Sequence, residues 1–594
     1  MKSPILWDQA YQKVAANKGA MTPGVDGKTF DGYSPEKVNS IITRLADGTY
    51  KPAAVRRVYI PKADGRKRPL GIPTTEDRLV QEVVRILLNE IYEPIFHEES
   101  HGFREGRSCH TALKGVQAVW TGVKWLVDVD VVGFFDNIDH AILLSLLEKR
   151  ISDRRFIALI RGMLKAGYME DWRFHRTLSG TPQGGVVSPL LANIYLHELD
   201  EWMQARMEAF NSGEKRKRSP EYESIGNRIG KLRRRVEYLR TSGKPNPDVI
   251  RSLLDQIDRL SAERRMAPAT DSFDPNYRRL RYCRYADDFL IGVIGSKAEA
   301  RQMMDEVRTF LAETLKLDVS DEKSGIHHAS DGARFLGYDV LTEGHPHPHK
   351  ADFGGRRVIR RGLKDRLRLR VPREKVFQFV KAKGWGDYDA CKPTRRPALL
   401  HASDVEIAAA YNAELRGFAT YYALASDVKK KLNKAAKLAF QSFLCTLADK
   451  HKTTSTRIAR KLRKGQDYYV RYEVRGKPRH IKIWKLMELE KKVARYGVLD
   501  AVSYTPFVFQ RTELVERLNA RTCERCGSDT KPCEIHHVRR LNDLRREADI
   551  LGYMRSARSR KRIVLCTDCH EAAHSYRPYT RPPRKRAGVE SRMR

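Results

Sequence analysis

Two adjacent aspartates, Asp287 and Asp288, stand between two segments that both predict β-strands. β-Branched and aromatic residues dominate residues 280–285 and 289–294, so the Tyr-Ala-Asp-Asp sequence at 285–288 falls at the turn of a predicted hairpin. Neighbouring carboxylates repel each other unless cations lie between them, and Mg²⁺ is the usual cation for such oxygen ligands. A solvated Asp-Asp turn is the alternative interpretation. Motifs elsewhere in the sequence are needed to decide between a metal site and a surface turn.

The chain carries a formal net charge of +38, because 112 Lys and Arg residues outnumber 74 Asp and Glu residues. Such an excess indicates a polyanionic partner, and nucleic acid is the first candidate. A membrane surface is the second, but the sequence contains no amphipathic anchor and no apolar run of membrane-spanning length, and Asp8 interrupts any signal-peptide pattern. We therefore expect no membrane partner. The 594 residues are enough for about three to five domains.

A third carboxylate lies near the end of another predicted strand. Residues 125–131 predict a strand whose alternation puts Asp128 and Asp130 on one face, and residues 133–136 then break it. A carboxylate near the end of an apolar strand is unfavourable without a partner. Asp130 is therefore a candidate to join the aspartate pair of the hairpin.

Two further segments could contact a nucleotide. Residues 55–62 and 67–73 predict the strands of a basic hairpin that could clamp a triphosphate or a template backbone, and a solvated edge hairpin is the alternative. Residues 181–185 form a Gly-rich turn before a helix predicted at about 189–207. Gln183 on this turn could lie against a nucleotide, or the turn could simply be the entrance to the helix.

Helical periodicity dominates much of the remaining chain. An insertion at 203–275 predicts a helical hairpin whose basic outer face either touches RNA or is solvated. Residues 351–495 are predicted to be helical and basic. Within them, residues 415–422 mix aromatic with cationic side chains, which suits either a grip on a nucleic-acid duplex or a protein core. Further helices are expected within residues 1–50, 77–92 and 297–316, and strands at 317–319 and 335–338.

The nine cysteines are distributed unevenly, because four are isolated and five follow position 520. This argues against a disulfide framework and for a reducing compartment. Two CxxC pairs predict a structural Zn²⁺ site. Its ligands would be Cys523, Cys526, Cys566 and Cys569. Imidazoles near the pairs could bind a catalytic metal for phosphodiester cleavage, with a purely structural zinc module as the alternative. These histidines are His536, His537, His570 and His574.

Taken in order, these motifs resemble those of a reverse transcriptase. The matching features are Asp130 on a strand, Pro182-Gln183-Gly184 on a turn, the hairpin at 285–288 and Phe335-Leu336-Gly337 on a later strand. Residues 68–73 (Arg-Pro-Leu-Gly-Ile-Pro), 101–104 (His-Gly-Phe-Arg) and 133–140 (Gly-Phe-Phe-Asp-Asn-Ile-Asp-His) resemble group II intron-encoded proteins. The resemblance covers nearly the whole chain, and the insertion is similar to that of the mitochondrial-like subgroup.

The resemblance implies a multidomain α+β protein. Its parts would be a right-hand polymerase with an antiparallel sheet in fingers and palm, an α-helical thumb or maturase region, and a small zinc-stapled ββα-metal HNH domain. The expected limits are an N-terminal extension at 1–50, fingers and palm at 51–345 with a basic helical insertion at 203–275, a thumb and maturase domain X at 346–465, a DNA-binding region or linker at 466–515, the HNH endonuclease at 516–577 and a basic tail at 578–594.

The resemblance also implies roles for polymerase residues. Asp130, Asp287 and Asp288 would hold two Mg²⁺ ions that support in-line phosphoryl transfer. Lys62 and Arg68 would meet the triphosphate, and Gln183 would contact the incoming nucleotide. Phe135 would exclude a 2′-hydroxyl and so select deoxynucleotides, and Lys323 would act as a late proton donor.

In the nuclease, the resemblance makes His537 the general base. His536, His570 and His574 would hold a divalent metal ion, expected to be Mg²⁺. The sequence departs from the family pattern at one point. The Asn that many HNH nucleases carry before the final metal-binding segment is not evident at 560–563, and Asn542 is a distant substitute.

The resulting hypothesis is a multifunctional protein of a group II intron. It would copy RNA into DNA, assist splicing as a maturase, and nick target DNA with its HNH nuclease so that reverse transcription is primed there during retrohoming. Its partners would be the intron RNA, target DNA and dNTPs, in a bacterial cytoplasm and at the nucleoid when bound to target DNA. The alternative is a splicing-only maturase with vestigial mobility activities.

Overall fold

The structure is a computed structural model. It describes residues 1–490 apart from short gaps, together with 522–538 and 562–575. The gaps are residues 18, 21, 31–32, 62–66, 171–172, 176–179, 181–183, 243–245, 272–273, 343–348, 355, 361–365 and 475–476. In this part of the chain, no helix is long and apolar enough to cross a membrane.

Helices and strands are numbered in chain order. The helices are α1 (Pro4–Ala16), α2 (Pro35–Ala46), α3 (Thr75–Tyr92), α4 (Cys109–Val119), α5 (Phe134–Asn137), α6 (His140–Glu148), α7 (Arg154–Lys165), α8 (Ser188–Phe210), α9 (Pro220–Thr241), α10 (Pro247–Met266), α11 (Lys297–Leu315), α12 (Arg373–Lys383), α13 (Asp404–Tyr421), α14 (Val428–Lys450), α15 (Ser455–Leu462) and α16 (Thr567–Ser575). The strands are β1 (Val55–Pro61), β2 (Lys67–Ile72), β3 (Trp125–Asp130), β4 (Tyr168–Glu170), β5 (Arg173–His175), β6 (Arg279–Tyr285), β7 (Asp288–Ile294), β8 (Gly325–His328), β9 (Ala333–Phe335), β10 (Tyr338–Thr342), β11 (His349–Phe353), β12 (Arg356–Arg360), β13 (Leu367–Arg370), β14 (Gly386–Asp387), β15 (Lys392–Pro393), β16 (Arg463–Lys464), β17 (Asp467–Val474), β18 (Lys477–Lys482), β19 (Cys533–His537) and β20 (Arg562–Cys566).

The chain divides into two compact units. The first consists of Met1–Tyr92, His140–Leu191 and Ser503–Arg594, and the second of Glu93–Asp139 and Ala192–Val502.

The first unit contains a four-stranded sheet in the order β2-β1-β4-β5. β1 and β2 are antiparallel, from Arg56 opposite Ile72 to Pro61 opposite Lys67, so the predicted basic hairpin is confirmed. The unit also contains the antiparallel pair β19 and β20, which α16 follows directly. The backbone N–H of Ile535 on β19 donates to the carbonyl oxygen of Tyr33 at 3.0 Å.

The second unit contains a four-stranded antiparallel sheet in the order β6-β7-β3-β8. The predicted hairpin is confirmed, because β6 and β7 pair from Arg279 opposite Ile294 to Tyr285 opposite Asp288. β3 pairs with β7 so that Asp130 lies opposite Asp288. The predicted strand and the predicted hairpin thus become neighbours in one sheet.

A second sheet of this unit has the order β13-β10-β9. One apolar core joins both sheets to α12, α13 and α14. The insertion has a separate small core between α9 and α10, which confirms the predicted helical hairpin. That core contains Ile225, Ile229, Val236, Ile257 and Leu260.

Three expectations about secondary structure were wrong. Leu336 and Gly337 form the turn between β9 and β10, with φ of 46° and 72°, rather than part of a strand. Of residues 317–319, Val319 contributes only an isolated bridge to Val131. The region expected to be helical also contains the strands β11 to β18. In segments such as 467–474, apolar and polar residues alternate with the period of two that is typical of a strand, and the many basic residues of the region obscure this pattern.

Candidate functional sites

The three residues that carry the predicted carboxylates lie at one end of the main sheet of the second unit. Asp130 ends β3, Asp288 begins β7, and the two residues are direct partners in the register. Asp287 precedes Asp288 in the hairpin turn. Ala286 in this turn has a left-handed backbone conformation, with φ of 58°, which residues with a side chain rarely adopt.

The electrostatics of this carboxylate group favour a bound cation. Burial and the charges of Asp128, Asp287 and Asp130 raise the pKa of Asp288 to about 7. Burial and the charge of Asp130 likewise raise the pKa of Asp128 to about 7. Several carboxylates held this close are stable in their ionised form only when a cation offsets their repulsion. An all-oxygen donor set of this kind fits Mg²⁺.

Lys323 also lies in this group. Its Nζ is 2.8 Å from Oδ2 of Asp130. The backbone N–H of Asp130 donates to Oγ of Ser324 at 3.0 Å. The short segment before β8 therefore holds both the side chain and the backbone of Asp130.

Phe135 lies close to the carboxylates in sequence. Gly133 takes a left-handed conformation, with φ of 51°, and ends the strand segment so that α5 can begin at Phe134. Phe134 is buried, and its ring packs edge-on against the half-buried ring of Phe135 with centroids 5.3 Å apart. Packing against a buried neighbour limits the orientations that the Phe135 ring can take.

A buried cation supports the hairpin turn, and the sequence interpretation missed it. Arg284 is fully buried and forms two hydrogen bonds with the carboxylate of Asp200, at 2.8 and 2.5 Å. It also donates to the carbonyl oxygen of Ala286 at 3.0 Å and to Oδ1 of Asn193 at 3.1 Å. The available signal was an acidic residue, Asp200, amid the apolar positions of α8.

Gly102 lies directly against the turn. A Cβ atom at this position would lie 2.3 Å from the backbone nitrogen of Ala286, which no folded chain tolerates without movement. The carbonyl oxygen of Gly102 accepts from Nδ2 of Asn193 at 2.7 Å, and the N–H of His101 donates to the carbonyl oxygen of Arg284 at 2.9 Å. The His-Gly-Phe-Arg segment at 101–104 therefore supports the turn.

The turn between β9 and β10 connects the carboxylates with α13. The backbone N–H of Leu336 donates to Asp288 and lowers its pKa in opposition to the larger effect of burial. The hydroxyl of Tyr421 donates to the carbonyl oxygen of Leu336 at 2.9 Å, and that of Tyr422 to Gly337 at 3.1 Å. Aromatic residues that could have gripped a duplex therefore make contacts within the protein.

The predicted nucleotide contacts are only partly described. Lys62 and Gln183 lie outside the described residues. Arg68 is opposite Ile60 on β2, and its side chain also lies outside the described part. Gly184, with φ of 110°, packs so tightly that a Cβ would lie 2.5 Å from the carbonyl oxygen of Gly71. Gly184, which follows the undescribed residues 181–183, is thus held against β2.

The four cysteines of the two CxxC pairs converge. The sulfur atoms of Cys523, Cys526, Cys566 and Cys569 all lie within 4.8 Å of one another. Sγ of Cys526 and Sγ of Cys566 are 3.8 Å apart. A tetrahedral ion with sulfur ligands at about 2.3 Å requires a sulfur–sulfur separation of about 3.8 Å. Burial raises the pKa of Cys523, but backbone N–H donors outweigh burial and bring it to about 6, which favours a thiolate.

Three of the four histidines also converge. The nitrogen atoms of His536, His570 and His574 lie within 4.8 Å of one another, and Nε2 of His570 is 2.9 Å from Nε2 of His574. Nδ1 of His570 lies 2.5 Å from Oε2 of Glu534, a carboxylate that orients the ring as in many metal-binding histidines. His537 follows His536 on β19, opposite Arg562, and is buried. Asn542 lies outside the described residues.

Three family models match consecutive parts of the chain. The reverse transcriptase (RNA-dependent DNA polymerase) model matches residues 60–216 and 252–340, and the type II intron maturase model matches 364–493. The AI2M/AI1M-like HNH endonuclease model matches 523–570. The chain is thus an RNA-directed DNA polymerase that also carries maturase and HNH endonuclease domains.

Individual relatives match almost the whole of this chain. The group II intron-encoded protein LtrA of Lactococcus lactis subsp. cremoris is 38% identical, and the match covers 96% of this chain and 93% of that protein. In Saccharomyces cerevisiae, the COX1/OXI3 intron 2 protein is 31% identical over 95% of this chain and 64% of its own length. The COX1/OXI3 intron 1 protein of the same organism is 29% identical over 97% of this chain and 68% of its own length. The chain belongs to the group II intron-encoded proteins, which confirms the resemblance inferred from its motifs.

Proposed function

We propose that Asp130, Asp287 and Asp288 hold two Mg²⁺ ions and form the polymerase centre. The bound ions would stabilise the charge that develops during in-line transfer of a nucleotide to a primer 3′-hydroxyl. The observation that carries this proposal is the placement of three aspartates at one end of a sheet, where burial and the neighbouring aspartate charges raise the pKa of Asp288 to about 7.

The test is primer extension on an RNA template. Asp287→Ala should abolish synthesis with little change in RNA binding, because the substitution removes a metal ligand and not a nucleic-acid contact. Asp305→Ala, which removes an exposed carboxylate of α11, is the matched control and should extend primers at the wild-type rate. Normal synthesis by Asp287→Ala would contradict the assignment and favour a splicing-only maturase.

We further propose roles for the residues around this centre. Lys62 and Arg68 contact the triphosphate, and Gln183 contacts the incoming nucleotide. Phe135 excludes the 2′-hydroxyl. Lys323 holds Asp130 before metal and substrate bind, and then serves as proton donor; its Nζ lies 2.8 Å from Asp130 Oδ2.

We propose that the second centre nicks target DNA. Cys523, Cys526, Cys566 and Cys569 hold a structural Zn²⁺, supported by four sulfur atoms within 4.8 Å of one another. His536, His570 and His574 hold a divalent ion that lowers the pKa of a bound water. His537 acts as the general base.

A nicking assay tests the nuclease separately from the polymerase. His537→Ala should lose strand cleavage while it retains zinc and primer extension. His401→Ala, which removes an exposed imidazole of the second unit, is the control and should cut normally. A His537→Ala protein that still nicks target DNA would remove His537 as the base.

The partners and the domain limits belong to the same proposal. The partners are the group II intron RNA, target DNA and dNTPs, supported by the net charge of +38 and by the names of the relatives. The domain limits at 1–50, 51–345, 346–465, 466–515, 516–577 and 578–594, the right-hand arrangement and the ββα-metal HNH domain remain proposals. We also propose a location in the bacterial cytoplasm, at the nucleoid when target DNA is bound.

A further inference from the structure

A third group of metal-ligating side chains lies in the second unit and shares no residue with either proposed centre. His97 follows the short 3-10 turn Glu93–Ile95, and His197 and Glu201 lie one helical turn apart on α8. One ligand atom from each lies within 4.8 Å of the others. Two segments separated by about 100 residues are therefore brought together at a single carboxylate.

The distances in this group match those of a metal site. Oε1 of Glu201 is 3.0 Å from Nε2 of His97 and 3.3 Å from Nε2 of His197. An ion bound to nitrogen at about 2.0–2.1 Å and to oxygen at about 2.0–2.2 Å in tetrahedral geometry requires ligand separations of about 3.3–3.4 Å. The two separations from Glu201 are within a few tenths of an ångström of this requirement, and the ring nitrogens of His97 and His197 lie within 4.8 Å of each other.

The imidazole of His197 is held in place beside Glu201. Nε2 of His197 lies 3.3 Å from Oε1 of Glu201, and a neutral imidazole offers this nitrogen's lone pair to a metal ion. The ring of Phe96 packs edge-on against the His197 ring with centroids 5.7 Å apart, which fixes its orientation. Nδ1 of His197 has no hydrogen-bond partner among the described residues, and Nε2 is the ring nitrogen that faces Glu201.

The group is also accessible to an ion. The side chains of His97 and Glu201 are 23% and 60% exposed, whereas that of His197 is 11% exposed. Three protein ligands leave a fourth tetrahedral position for water. Two nitrogens and one oxygen form a borderline-soft donor set, which favours Zn²⁺ over Mg²⁺.

We propose that His97, His197 and Glu201 bind a divalent transition-metal ion, of which Zn²⁺ is the best fit. The ion links the 93–97 turn to α8. Asp200 precedes Glu201 on this helix and holds Arg284, which in turn supports the Tyr-Ala-Asp-Asp hairpin. The site is therefore a clamp that stabilises the base of the polymerase sheet and takes no part in the chemistry.

The test counts Zn²⁺ per chain in the full-length protein after equilibration with Zn²⁺ and removal of free ion. His97→Gln and Glu201→Gln should each bind one ion fewer than wild type, and added Zn²⁺ should raise their melting temperature less. Both side chains are partly exposed, so these variants should fold. His401→Gln, which removes an exposed imidazole, should bind the wild-type number. Equal counts in all four proteins, or an equal loss in His401→Gln, would overturn the proposal.

The test of this metal site does not depend on the nuclease assignment. Cys526→Ser and His570→Ala should each lose an ion at the C-terminal centres. Each of these variants should lose one further ion when His97→Gln is added to it. An additional loss in the combined variants supports the clamp even when DNA nicking fails. No additional loss contradicts it even when DNA nicking succeeds.

Discussion

Position 102 has no room for a side chain because the backbone of Ala286 lies against it. A Cβ there would come 2.3 Å from the Ala286 nitrogen, and Ala286 already has an unfavourable left-handed conformation. Gly102→Ala should therefore displace the hairpin turn and reduce primer extension more than RNA binding. Gly115→Ala is the control, since a Cβ at position 115 meets nothing within 4 Å. Equal activity of the two variants would show that the turn can move without consequence.

Phe135 offers a test of sugar selection at a single residue. Its ring is half-buried against Phe134 and follows the Asp130 strand by one short turn. Phe135→Ala should raise the rate of ribonucleotide incorporation relative to deoxynucleotide incorporation, because it removes the bulk that we propose excludes a 2′-hydroxyl. Single-nucleotide extension with matched dNTP and rNTP measures this ratio. Phe377→Ala on α12 is the control, and an unchanged ratio in Phe135→Ala would reject the steric role.

At the scale of elements, one buried ion pair joins β6 to α8. Arg284 and Asp200 both have fully buried side chains. Asp200→Asn leaves the guanidinium without its counter-charge and should destabilise the second unit by about 3–5 kcal/mol. Calorimetric unfolding measures the shift in melting temperature.

The matched control for this pair is an exposed one. Arg373 and Asp389 form an ion pair at 3.9 Å with side chains 78% and 70% exposed. Asp389→Asn should change stability by about 1 kcal/mol or less, because exposed pairs contribute little. Similar effects of the two substitutions would mean that Asp200 is not the principal partner of Arg284.

The sequence left two roles open for the aromatic residues at 415–422, a protein core and a nucleic-acid surface. Tyr422 is buried, Phe418 stacks on Phe379 with centroids 4.0 Å apart, and the hydroxyl of Tyr421 reaches Leu336. Aromatic side chains at helical spacing fit a core and a nucleic-acid surface equally well. Which one they form depends on what packs opposite them, and local sequence does not contain that information.

At the scale of the whole molecule, the charge of +38 predicts strong salt dependence. Binding to the proposed partner, intron RNA, should weaken by about 10³-fold or more between 50 and 200 mM salt if about six or more phosphates are contacted. Filter binding over a salt series measures the slope. A flat salt dependence would contradict phosphate contacts as the main source of affinity.

The basic face of α9 can be tested in the same assay. Lys231, Arg233 and Arg234 are exposed, so their replacement by Gln should not disturb the small core of the insertion. If each contacts a phosphate, the log–log salt slope should fall by about one per residue. Arg301→Gln on the exposed side of α11 is the control, and an unchanged slope in the triple variant would mean that this face is solvated.

Local sequence patterns were sufficient for the features that depend on neighbouring residues. The hairpin around Asp287, the strand that ends at Asp130 and the CxxC pairs at Cys523 and Cys566 were all identified from alternation or spacing. Alternation of apolar and polar residues indicates that one face of a strand is buried. The spacing of two cysteines in a CxxC pair indicates that a short turn can bring both sulfur atoms to one ion. Both are properties of a few consecutive residues.

The tertiary structure alone revealed which distant residues support these features. Arg284 pairs with Asp200 across 84 positions, Gly102 contacts Ala286, and Tyr421 reaches Leu336 across 85 positions. The group of His97, His197 and Glu201 likewise exists only because the chain folds back on α8. Such contacts follow from the packing of whole elements, and a single sequence specifies that packing only through the sum of many weak interactions.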